Sequence, residues 1–255
     1  MSGESGSLLV ADSWLLVDGA VRAMEKHIDR FTRSCLELGV VSAGELREFW
    51  STVVAGLPRS GTWFPRVELV DAAPALRLRI RPAPVLRESV RIWVPDEPDR
   101  RSYPHRKGPD LDRLALLRED AERYGAHEAL LTTSDGFVVE GASSSLLWWE
   151  EGVLCEPPAD VPALPGTTAA VVRELASARG IRTARRARRP EELGGREVWL
   201  VNALHGVRLV TGWTPGAIVA GPGARFRQWR ALVENLRVPL KTFPLDWADR
   251  LPVFL

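Results

Sequence analysis

The chain has 255 residues, 45% hydrophobic and 26% charged, with a formal net charge of +1. These values are ordinary for a water-soluble globular protein that can bury a core without disulfides, as one large domain or two modest ones. They leave no global basic surplus to drive nucleic-acid binding, and no run approaches the 18 apolar residues of a membrane span. The basic run "ARRARRPEE", Ala184 to Glu192, is followed at once by acids and reads as a solvated surface element. Cys35 and Cys155 stand too far apart for a CxxC pair, so no zinc or other metal site is expected. The N-terminus lacks the charged start and apolar core of a signal peptide, and the expected location is a reducing cytoplasm.

In chain order, "SLLVADSWLLVDGAVRAM" (Ser7 to Met24) gives two strand-like runs with a turn at Asp18-Gly19, a hairpin signal. "EKHIDRFTRSCLELG" carries Ile28, Phe31, Cys35 and Leu36 at helical spacing and stops at Gly39. Ser42, three residues before Glu45, predicts a capping box and a second helix. "RVELVDAAPALRLRIRPAP" alternates as strands do. "VPDEPDRRSYPHRKGPD", Val94 to Asp110, is rich in proline and charge and reads as a linker between a small N-terminal lobe (residues 1–100) and a larger lobe (101–255).

A helix from about Leu111 to Tyr124 follows. Next come three strands between His127 and Pro158 with a turn at Asp135-Gly136, then a glycine-led helix that stops at Gly180. Two further strands and a closing helix end the pattern. Strands and helices mix without strict βαβ alternation, which predicts α+β lobes rather than a doubly wound sheet. Trp148 and Trp149 are neighbours on a strand, so one should face the core and the other could lie at an interface.

Four features could carry chemistry. Lys107, at the head of the helix pattern, could form a Schiff base if its amine is kept neutral, although lysines there usually only solvate a helix end. Glu140 ends an apolar strand in "VVEGASSS" and is either a strand-end charge or a carboxylate facing a ring nitrogen. "LPGTTAAVV" places Gly166, Thr167 and Thr168 at a helix N-terminus, an anion site or an ordinary helix start; it is not a Walker loop. His27 and Arg30 share one helical face, and an arginine there suits a phosphate or a surface ion pair.

Their order and spacing resemble the class IV aminotransferase family, the fold-type-IV enzymes that use pyridoxal phosphate. The motifs are "DGAVRAMEKHIDRF", "KGPDLDRLALLREDAERYGAHEALLTTSDGFVVEG", "LPGTTAAVVRELA" and "EVWLVNALHGVRLV". The resemblance implies that Lys107 bonds the cofactor aldehyde and then moves protons. It implies that Glu140 meets the pyridine nitrogen and that Arg30, Gly166, Thr167 and Thr168 hold the phosphate. Ser143, Ser144, Asn202 and Ala203 would lie near the cofactor. The "NALHGV" segment is most similar to 4-amino-4-deoxychorismate lyases, which release pyruvate and 4-aminobenzoate. An aminotransferase is the alternative, and a non-catalytic binding protein on the same fold is the third reading. A homodimer and a small amino substrate are implied, with neither nucleic acid nor membrane as partner.

The sequence departs from the family at several points. Asp12-Ser13 stand where Glu-Thr or Glu-Ser is common, Ala169 follows the threonines in place of arginine, and Ala203 replaces a threonine or serine. Ser145 replaces an asparagine, and Leu209 stands where a proline is usual. Arg79, Arg81, Arg87, His105 and Arg106 could clamp a substrate carboxylate, although most read as solvated charges.

Overall fold

The computed structural model describes residues 6–240. In chain order the elements are β1 (Leu8–Ser13), β2 (Leu16–Val17), β3 (Ala20–Arg22), α1 (Met24–Leu38), α2 (Ala43–Gly56), β4 (Thr62–Trp63), β5 (Arg66–Val70), β6 (Leu76–Arg79) and β7 (Ser89–Trp93). Then follow α3 (Leu111–Arg123), β8 (Glu128–Thr132), β9 (Val138–Gly141), β10 (Ser145–Glu150), β11 (Val153–Glu156) and α4 (Thr167–Ala178). The last are β12 (Thr183–Arg185), β13 (Val198–Asn202), β14 (Gly206–Thr214), α5 (Phe226–Glu234) and β15 (Arg237–Pro239). None of the described helices is long and apolar enough to cross a membrane.

The chain divides into two compact units. Among the described residues, one unit holds 6–85, 106–109 and 236–240, and the other holds 86–105 and 110–235. A single cut at residue 100 would give Lys107 to the second unit. The structure places it in the first, because the Lys107-Gly108 backbone lies along β1.

In the first unit, β1, β5 and β6 form one antiparallel sheet, and β15, β3, β2 and β4 form another. The β2–β3 hairpin turns at Asp18, whose φ of 46° is the left-handed conformation that tight hairpins require. Met24, His27, Ile28, Phe31, Thr32 and Cys35 form the buried stripe of α1, at the spacing an amphipathic helix needs. Gly39 ends that helix, and its N–H reaches the Leu36 carbonyl. Ser42 and Glu45 form the expected capping box on α2. Trp50 seals the core edge-on to Phe31 at 5.7 Å, and its indole N–H donates to Thr32 Oγ1 at 3.1 Å.

The second unit is built on one eight-stranded mixed sheet, ordered β12-β11-β10-β13-β14-β7-β8-β9. Three of its pairs are parallel: β11–β12, β14–β7 and β7–β8. The Val138 N–H of β9 donates to the carbonyl of Arg188, just beyond β12, at 2.8 Å. The two ends of the sheet order thus approach each other, and the sheet curls into a half-barrel. Trp148 is buried in the core on one face. Trp149 is buried on the other, edge-on to Trp199 and to Trp229 of α5 at 5.6 Å each. Trp149 therefore packs against a helix of its own chain.

Candidate active site

The first unit holds Lys107 and Arg30, both anchored to β1. The amide of Ala11 donates to the Lys107 carbonyl at 2.7 Å. Gly108 follows with φ of 150°, and a Cβ there would lie 2.9 Å from Leu9 O and Val10 Cα. The backbone at Lys107 is thus pressed onto the strand in a way only glycine permits at the next position. Lys107 itself is half-buried, in a stretch that has no regular secondary structure.

One residue along β1, the fully buried Asp12 collects three partners. Arg30 donates through Nε to Oδ2 and through Nη2 to Oδ1, each at 2.9 Å, and His27 Nδ1 lies 2.8 Å from Oδ1. The amide of Ser13 also donates to Oδ1, at 2.7 Å. Burial alone would raise the Asp12 carboxyl, but Arg30 and His27 outweigh it and hold the group well below the usual carboxylate range. Burial pushes His27 down against the pull of Asp12. The Nε–Nη2 edge of Arg30 is committed to Asp12.

In the same unit, Glu68 is bracketed by Arg66 and Arg79, each at 2.8 Å. Arg81 lies over Phe64, 5.3 Å from the ring centre, and its Nε is buried without an acceptor among the described residues. Arg81 is one of the arginines that the sequence offers for a carboxylate clamp.

The second unit holds the remaining candidates. Glu140 is the penultimate residue of β9, at 4% exposure. Its Oε1 accepts from Arg101 Nη1 at 2.7 Å and from the amide of Leu164 at 2.8 Å. Burial raises the carboxyl above its ordinary value, and Arg101 and the Leu164 N–H only partly offset this. Arg101 and its partner Asp99 were not singled out in the sequence, because they lie in the stretch that reads as a linker. That stretch is ordered by polar contacts in place of secondary structure. The Asp99 amide donates to Thr132 O of β8, and Asp110 accepts from the amides of Ser102 and Tyr103 at 3.0 and 2.8 Å.

Ser143, Ser144 and Asn202 meet in a second buried network around Glu128. Ser143 donates its amide to Oε1 at 3.0 Å and its hydroxyl to Oε2 at 2.6 Å, and Ser144 Oγ lies 3.1 Å from Oε2. Arg208 Nη2 donates to Glu128 Oε2 at 2.9 Å and to Ser144 Oγ at 2.7 Å. Asn202 Nδ2 donates to Ser144 Oγ at 3.0 Å, and its Oδ1 accepts the His205 amide at 2.7 Å across the turn that carries Ala203. The two serine hydroxyls are therefore turned toward Glu128. Glu128 and Arg208 both lie within the quoted motif stretches, but neither was singled out there as a site residue.

Gly166 is the N-cap of α4, whose start has no side-chain cap, with Thr167 and Thr168 buried behind it. A Cβ on Gly166 would meet Ser145 Oγ of β10. Among the described residues, no side chain caps the start of the helix, which leaves the positive end of its dipole as an anion site requires.

The chain belongs to the class IV aminotransferase family, whose profile, "Amino-transferase class IV", matches residues 9–213. The branched-chain-amino-acid aminotransferase of Escherichia coli K12 is 36% identical over 66 residues, 26% of this chain and 21% of that enzyme. The bifunctional aminodeoxychorismate lyase / D-amino acid transaminase of Mycobacterium tuberculosis is 33% identical over 99 residues, 36% of this chain and 34% of that protein. The matched stretches thus span about a fifth and a third of these relatives. A hypothetical aminotransferase from M. tuberculosis, solved with alpha-ketoglutarate and PMP bound, has a TM-score of 0.77 at 21% identity over 92% of this chain and 90% of that one.

The residues present fit the family's cofactor, pyridoxal phosphate. Its ring nitrogen matches the buried Glu140, of which Oε1 alone is engaged among the described residues. Within the second unit, the uncapped start of α4 suits its phosphate. Within the first unit, Lys107 is a residue of the type that bonds an aldehyde.

Proposed function

We propose that the chain is a pyridoxal-phosphate enzyme that eliminates pyruvate from an amino-deoxychorismate-type substrate and leaves 4-aminobenzoate. The cofactor, when bound, supplies a carbonyl that condenses with the substrate amine and a ring that takes up the electrons of a broken C–H bond. Lys107 removes the proton at the substrate's amine-bearing carbon, acting as a general base from a backbone fixed against β1. Glu140 holds a proton at the ring nitrogen. Arg30, Gly166, Thr167 and Thr168 hold the phosphate, and Arg81 takes a substrate carboxylate.

The observation that carries the cofactor reading is Glu140: a carboxylate at 4% exposure with one oxygen fixed by Arg101 and Leu164 and the other left to meet a cation. The lyase outcome is supported by the "NALHGV" segment and by the likeness to the bifunctional M. tuberculosis protein. That same likeness and the E. coli match favour a second reading, transfer of the amino group to a 2-keto acid. The chain acts as a homodimer in either case.

Pyruvate release from 4-amino-4-deoxychorismate, followed with and without an added keto acid, separates the two. A lyase releases pyruvate and 4-aminobenzoate with no acceptor present. Turnover of amino acids that stops without an acceptor assigns the transaminase, and neither activity from cofactor-loaded protein removes both.

A further inference from the structure

The Glu140 carboxylate is held by a second buried charge pair. Arg101 forks onto Asp99, with Nε 3.1 and 2.9 Å from the two carboxylate oxygens and Nη2 2.7 Å from Oδ2. Nη1 turns the other way, to Glu140 Oε1 at 2.7 Å, and Nη2 also donates to the Pro162 carbonyl at 3.2 Å. The Asp99 side chain further accepts the Arg101 amide at 3.0 Å, and its own amide is fixed to Thr132 O. The side chains of Arg101, Asp99 and Glu140 are 5%, 10% and 6% exposed.

Two acids share one base here, so the triad is one positive charge short. A buried charge is stable only when paired, and removal of one partner from such a group costs several kcal/mol. Asp99 is satisfied on both oxygens, and Glu140 Oε1 takes two donors. Oε2 of Glu140 accepts no hydrogen bond among the described residues. The unmet demand of the triad is thus for a cationic N–H donor at a single oxygen, and Arg101 decides which oxygen that is.

We propose that Arg101, clamped by Asp99, is a positioning residue that keeps Glu140 ionised and presents its Oε2 to the protonated ring nitrogen of the cofactor. This rests on the reading of Glu140 given above. Without Arg101, burial and the nearby charge of Asp99 would be opposed only by the Leu164 N–H. The group would take up a proton and become a neutral acid, a poor partner for a pyridinium. Without Asp99, Arg101 would lose the fork that aims Nη1. A lysine at 101 supplies the charge but cannot hold both acids in one plane.

The test is equilibrium titration of the apoprotein with pyridoxal 5′-phosphate, read by tryptophan quenching, for Arg101→Gln, Glu140→Gln and the double variant. Carboxyl NMR of apoprotein labelled at glutamate, assigned by Glu140→Gln, reports the ionisation of Glu140 directly. Arg101→Gln is expected to weaken cofactor binding about tenfold, the size of one lost charge-assisted contact. It should also move the Glu140 titration to higher pH. In the Glu140→Gln background the same change should cost no further affinity, because Arg101 acts through Glu140. Arg101→Lys should restore the ionisation of Glu140 and only part of the affinity. If Arg101→Gln does not fold, Asp99→Asn carries the same expectation with a smaller loss. Equal losses in both backgrounds, or an unmoved Glu140 titration, would overturn the proposal and leave the reading of Glu140 standing. Unchanged cofactor affinity and spectrum in Glu140→Gln would overturn that reading, and the proposal with it.

Discussion

Gly108→Ala should damage the site without touching a reactive group. At φ of 150° a non-glycine residue carries about 1–3 kcal/mol of backbone strain. The new Cβ would also lie 2.9 Å from Leu9 O and Val10 Cα and 3.0 Å from Leu9 C, all main-chain atoms of β1 that cannot swing aside. Overpacking of that kind adds about 1–3 kcal/mol, so the total loss is about 2–6 kcal/mol. Gly39→Ala is the control. Its φ is 65°, yet nothing lies within 4 Å of its Cβ position, so it carries the conformational cost alone, about 1–2 kcal/mol. Urea unfolding of both variants gives the difference. The strand can relieve the clash only by releasing the Ala11–Lys107 hydrogen bond, so borohydride trapping of cofactor on Lys107 should also slow in Gly108→Ala and stay normal in Gly39→Ala. A Gly108→Ala protein as stable as the Gly39→Ala control, with an unchanged trapping rate, would refute the claim that contact with β1 fixes Lys107.

Arg208→Met should lower stability by about 3–5 kcal/mol, since it strands Glu128 at 1% exposure; adding Glu128→Gln should recover part of that loss in urea unfolding. Asp12 is held below its ordinary 3.8, so its stabilising share is present at neutral pH and is lost as pH falls below about 4. The stability gap between wild type and Asp12→Asn should therefore be widest near pH 7 and narrow steadily in acid, as thermal melts across that range would record. Arg81→Gln should raise KM for a carboxylate substrate about tenfold or more and change kcat less, because it removes ground-state binding; a loss confined to kcat would assign Arg81 another role.

Much of the architecture could be read from local chemistry. Asp18-Gly19, Gly39 and the Ser42–Glu45 box each mark a boundary through the backbone groups they satisfy, and the structure keeps all three. What could not be read is non-local. β7 lies just before a stretch dense in proline and charge, and it is a strand because β14 and β8 flank it in parallel, far away in sequence. The same holds for the site. Lys107, Glu140 and Arg30 stand out by motif, but the groups that position them do not. Arg101 and Asp99 look like linker charges until β8 and Glu140 are brought to them. Arg208 looks like a strand charge until Glu128 faces it. Gly108 passes for a turn residue before a proline until β1 is laid against it. Burial and pairing, which give these residues their roles, are made by the fold and leave no periodic trace in the chain.

The most direct test of the account is where the cofactor attaches. The chain has three lysines, Lys26, Lys107 and Lys241, so peptide mapping after borohydride treatment of the yellow, pyridoxal-phosphate-loaded protein is unambiguous. The account predicts the label on Lys107 and its absence, with the loss of the visible band, in Lys107→Ala. A label on Lys26 or Lys241, or a Lys107→Ala protein that still turns yellow and is labelled as before, would contradict it.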